Sequence, residues 1–151
     1  MSIAVPTTLE ERPSRAILAF RVGYALLGLN FLIPALSYIV APSATYETLD
    51  RVNRLLGGGA YPAESGHLWH MLGTGNVMTL AFFCFLLLFD LRRFHPALPA
   101  LLFLKGFSAA YALAIGLANS LPVFVAVFVL DALTTLALWQ LASRAHREMT
   151  R

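Results

Sequence analysis

Four long apolar runs divide the chain, at about residues 16–41, 68–91, 97–118 and 121–142, with polar residues gathered between them and towards the ends. Each is near the ~20 residues that a helix needs to cross ~30 Å of hydrocarbon. Lipid offers backbone groups no partner, and runs of this length without period-two alternation rule out a barrel, so all four should be helices. The pattern predicts an all-α integral membrane four-helix bundle, a single transmembrane domain over residues 1–151. The first run is too long for a signal core of 7–15 residues and reads as a retained anchor. Its loop to the second run, 42–67, is the one sizeable connection. There Thr45 can cap a short interfacial helix reaching about Leu56, with Leu49, Val52 and Leu56 on one side and Glu47, Asp50, Arg51 and Arg54 mostly elsewhere. Gly57, Gly58 and Gly59 end it and Pro62 stiffens the return. The segment reads as a linker, with a lid over the outer end of the bundle as the alternative.

Two charges break the last two runs. Lys105 and Asp131 each sit where an isolated charge costs roughly 2.5–3.5 kcal/mol on insertion scales. If these runs form an antiparallel hairpin turning at Asn119 and Ser120, the two differ in depth by only ~5 Å, which a lysine side chain spans. Lys105, Ser108, Ala112 and Gly116 share a small-residue face, and Asp131 shares its face with Thr134 or Thr135 and Leu138. An inward ion pair follows. It is either a structural bridge that fixes helix packing or a pair that handles a proton or ligand, with two charges snorkelling independently to water as the remaining alternative.

A second polar layer is expected further out, where Asn30 and Asn76 each lie ~22 Å above the inner helix ends and can bond across the bundle. Pro34 disrupts the hydrogen bond to the carbonyl of Asn30, predicting a kink there. At the outer start of the second run, His67 and His70 share a helical face with Glu64 just upstream. Only one further ligand is near in sequence, so no metal is predicted. A bis-histidine haem is disfavoured as well, because His95 and His146 belong to the opposite side.

Composition changes the picture mainly by exclusion. With 58% hydrophobic and 13% charged residues the chain falls far below the ~25% charge of soluble domains. A net charge of +3 does not point to nucleic acid, because Arg12, Arg15, Arg92, Arg93, Arg144, Arg147 and Arg151 flank predicted spans. By the positive-inside rule this distribution predicts an N-in/C-in protein of the cell inner membrane, with Trp69 and Trp139 at opposite interfaces. Cys84 is the single cysteine, so neither an internal disulfide nor a cysteine-held cluster can form. Nucleotide, zincin and hydrolase signatures are absent.

Four short-linked helices, Gly and Asn in the first span, and a longer first outer loop resemble the DoxX-like group of small bacterial membrane proteins. The resemblance covers the bundle as architecture and carries over no functional residue. It implies a quinone-associated redox or membrane-complex role. Three functions follow for the sequence: a non-enzymatic accessory component that meets other membrane proteins or its own copies; an enzyme or redox partner holding a lipid or quinone near Asn30, Asn76, Lys105 and Asp131; or a small proton-coupled carrier. No cofactor is required by any motif, and the expected partner in every case is the lipid bilayer.

Overall fold

The first apolar run turns helical immediately after Ser14, whose hydroxyl accepts the amide of Ile17 at 3.3 Å and so satisfies one of the free N–H groups at the helix start. The computed structural model describes residues 14–61 and 66–150, and side chains of 66–70 lie outside that description. Over these residues the helices are α1 (Arg15–Val40), α2 (Pro42–Leu55), α3 (Gly66–Phe89), α4 (Leu91–Phe94), α5 (Leu98–Ala118) and α6 (Pro122–Met149). A 3-10 turn, His95–Ala97, joins α4 to α5. Among the described residues there is no strand.

Four stretches are long and apolar enough to cross a membrane: Arg15–Val40, Met71–Phe89, Leu91–Ala118 and Pro122–Met149. This fits a small multi-pass membrane protein. Their outward faces agree, since Leu26, Leu130 and Phe89 are 62%, 63% and 84% exposed, a surface costly in water and ordinary in lipid. The helix α1 runs unbroken through Pro34. Other prolines fall at helix starts, at Pro42, Pro122 and in the first turn of α5, where a missing N–H removes no bond.

The helices form a ring in which α1 packs on α3 and α6, α5 packs on α6, and α3 meets α5 more sparsely. Helix α1 buries Phe20, Tyr24, Gly28, Phe31 and Ala35, a stripe at helical spacing that faces the interior. Around it close Leu80, Cys84, Leu87, Leu101, Leu138 and Ala142. Most of this apolar core belongs to the half of the bundle nearer Ser14 and Met149, here the tail end. The opposite half, the α2 end, holds the buried Asn53 and the clefts between α1, α2 and α3.

Asp90 separates α3 from α4 by accepting the amide of Arg93 at 3.0 Å as an N-cap. The α5–α6 turn is made by Asn119 and Ser120, with Ser120 at φ 54°.

Candidate functional site

Lys105 lies on the buried face of α5 with Leu101, Ala109, Ala112 and Gly116. This is the small-residue face expected, except that Ser108 is half-buried beside it. The antiparallel hairpin brings Asp131 of α6 to the same level, and the Lys105 ammonium donates to Asp131 Oδ1. Their side chains are 9% and 16% exposed. From α1, the ring of Phe31 covers the ammonium at 4.8 Å from its centroid, a cation–π contact that gains strength where water is scarce. Three helices therefore converge on one charge: α5 carries it, α6 neutralises it and α1 roofs it.

The threonines do not join the pair. Thr134 Oγ1 donates to the carbonyl of Leu130 at 2.7 Å and Thr135 Oγ1 to that of Asp131 at 2.8 Å, each satisfied one turn back on its own helix.

Asn30 and Asn76 do not meet. Asn30 is exposed on α1, whereas Asn76 Nδ2 donates to Ser108 Oγ at 3.3 Å and links α3 to α5. The physical reason is phase: the inward stripe of α1 passes through Gly28 and Phe31, which turns Asn30 between them outward. The bond that does tie α1 to α6 across the core is from Tyr24, whose hydroxyl donates to the carbonyl of Leu138 at 2.8 Å. Its sequence signal is the Phe20, Tyr24, Phe31 spacing, which puts the phenol on the buried stripe.

A second polar centre lies at the α2 end. Asn53 is fully buried. Its Nδ2 donates to the carbonyl of Gly59 at 2.9 Å and its Oδ1 accepts the amide of Val123 at 3.3 Å. Val123 is the second residue of α6, whose own N-cap, Leu121, offers no side-chain acceptor. Asn53 thus supplies from another helix the oxygen that a capping residue would give. Gly57 at φ +85° makes the turn that returns the chain, and a β-carbon on Gly58 would lie 2.6 Å from Asn53 Nδ2.

Around this tie, Asp50 accepts the amide of Tyr61 at 2.8 Å and pairs with Arg54 at 2.8 Å. The Tyr61 amide first, and the Arg54 side chain with it, hold the Asp50 carboxyl below the usual carboxylate range. Tyr61 stacks on Phe124 with centroids 5.8 Å apart and meets Tyr46 edge-on at 5.0 Å. Burial, with Tyr46 and Tyr38 nearby, pushes its phenol up to about 12. The segment read as a linker is a helix fastened at several points to the start of α6.

Two adjoining clefts open between α1, α2 and α3. One, of about 190 Å³, is lined by Tyr38, Thr45, Tyr46, Leu49 and Thr74 among others. The other, of about 580 Å³, continues past Thr74 and Gly75 to Met71 and Met78. Neither is lined by Lys105 or Asp131.

Glu64 lies outside the described residues. His67 and His70 fall in the first turns of α3, with side chains outside the description. At the tail end the rings of His95 and His146 stack 3.8 Å apart and 16° from parallel. Imidazole lone pairs lie in the ring planes, so this stack does not aim both at one metal ion. Among the described residues no group of three His, Cys, Asp or Glu is arranged to hold a metal. No protein-family model, curated protein or solved structure matches this chain.

Proposed function

We propose that the chain is a non-enzymatic accessory component of the cell inner membrane, spanning it four times with both termini inside. In this reading Lys105 and Asp131 fix the helices rather than move a proton or bind a substrate. The observation that carries it is the closure around Lys105: its charge is met by Asp131 and covered by Phe31, and it lines neither of the clefts between α1, α2 and α3. The reading also accounts for the broad apolar exterior, including Phe103, Phe107 and Tyr111 in file along α5 at centroid spacings of 6.2 Å. Such a row offers neighbouring helices or a second copy a broad aromatic contact surface. The DoxX-like resemblance points the same way, towards a role in a membrane complex.

Gentle detergent extraction of the full chain at native abundance, followed by cross-linking and mass spectrometry, tests the proposal. Defined membrane-protein partners or a stable homo-oligomer are expected; a monodisperse, partner-free species sinks it. Cysteine labelling from either side of sealed vesicles at engineered terminal sites tests the orientation.

One observation favours a second reading, a lipid- or quinone-binding bundle. The clefts beneath α2 are lined by tyrosine and threonine together with apolar side chains, the mixture that holds an amphipathic molecule. On this reading α2 is the lid of the site, lying in the interface. Lipid extracted with the protein and lost on Gly75→Leu supports it, and equal retention by that variant counts against it.

A further inference from the structure

At the tail end, α1 and α6 approach closely at Gly23, and clefts lie beyond that level. A β-carbon on Gly23 would lie 2.4 Å from Leu141 Cδ1, so contact there is tight. Towards the start of α1, Ala19 and Ala16 line two adjoining clefts. The first, of about 240 Å³, is lined by Arg15, Ala16, Ala19, Leu141 and Arg144. The second, of about 200 Å³, shares Ala16 and Arg144 and adds Arg147 and Glu148.

Three guanidinium groups face one carboxylate here, so the clefts carry a positive excess. Among the described residues none of the three arginines forms an ion pair. Arg147 uses its Nε on the carbonyl of Ser143 at 3.2 Å, which leaves its terminal nitrogens for another acceptor. Arg15 is also the first residue of α1, where the helix dipole adds positive potential. Guanidinium forks match the oxygens of a phosphate in geometry and charge. The remaining wall, Ala16, Ala19 and Leu141, is apolar and adjoins an exterior on which Leu18 and Val22 are 53% and 52% exposed.

We infer that this cleft binds the phosphate headgroup of an anionic phospholipid, with Arg15, Arg144 and Arg147 as its donors and an acyl chain lying along the apolar wall. A free phosphate matches the arginines alone; a lipid matches both halves of the cleft, and basic clefts between helices at a bilayer surface suit such headgroups. The inference rests on the membrane-spanning reading.

The test is native mass spectrometry of the full chain in mild detergent, titrated with phosphatidylglycerol or phosphatidylcholine. Phosphatidylglycerol should be retained preferentially. Arg15→Gln with Arg144→Gln should weaken its binding on the order of thirtyfold at low salt, at roughly fivefold per arginine. Arg51→Gln with Arg93→Gln removes the same charge elsewhere and should leave the preference in place. Equal retention of both lipids, or equal losses in the two double variants, overturns the inference. So does uptake of inorganic phosphate by delipidated protein as tightly as phosphatidylglycerol. Vesicle flotation separates the two readings: a chain that floats with phosphatidylcholine vesicles but shows no lipid preference overturns this inference alone, whereas a chain that floats with neither lipid overturns both.

Discussion

Lys105 and Asn53 are both buried polar residues that fasten helices together, yet they do so by opposite means. Lys105 carries a full charge in an apolar helix and is held by one carboxylate and one aromatic face. Asn53 carries no charge, sits on the polar helix α2, and is held by backbone groups of Gly59 and Val123. The contrast teaches where each tie is vulnerable. Removing one member of an ion pair leaves a charge with no counterpart in a dry place, whereas removing Asn53 leaves backbone groups that can regain water by local opening.

The largest effect should therefore come from Lys105→Met, which strands Asp131. A loss of about 3–5 kcal/mol is expected, read as global unfolding in bicelles; a loss confined to α2 would contradict the comparison. Next comes Asn53→Ala, which unpairs the Val123 amide and the Gly59 carbonyl at a cost of about 1–3 kcal/mol. Hydrogen exchange should rise at α2 and the first turn of α6 while the Lys105 level stays protected. Uniform acceleration over the whole bundle would show that the two centres are not separable. Asn76→Ala removes one neutral bond to Ser108 and should cost about 0.6 kcal/mol, as interhelical bonds in bundles commonly do.

Acid sharpens the same comparison. The Asp50 carboxyl is lowered in the folded state, so its contribution is present above the unfolded value near 3.9 and is lost as pH falls through the lower folded one. Exchange at the Tyr61 amide should accelerate, beyond its intrinsic pH dependence, only as the medium is made more acid than about pH 4. Asp50→Asn should flatten that added response, and an unchanged response would assign it to another group.

The apolar runs made the four helices readable from sequence, because length and hydropathy alone report what must lie in lipid. Lys105 and Asp131 were readable for the same reason: each is an exception within its run, and the short Asn119–Ser120 turn brings the exceptions to one depth. Asn30 and Asn76 are expected at one depth as well, but depth without phase does not make a contact. At ~100° per residue, Asn30 lies ~200° round the helix from the buried Gly28 and so faces outward. Asn53 gave no signal, since an asparagine on a polar helix is ordinary and its partner, a backbone amide at the start of α6, carries no side-chain signature. Tyr24 falls between these cases. Its helix was readable, whereas the burial of its face and its acceptor, the Leu138 carbonyl, depend on how α1 and α6 pack.

The central claim is that Lys105 and Asp131 act as one packing unit, and a double-mutant cycle tests it most directly. Unfolding free energies of wild type, Lys105→Met, Asp131→Leu and the combined variant are measured in one bicelle composition. The account predicts that the combined variant regains most of what either single variant loses, so that the coupling is larger than either single loss. Losses that add to within about 0.5 kcal/mol would contradict it.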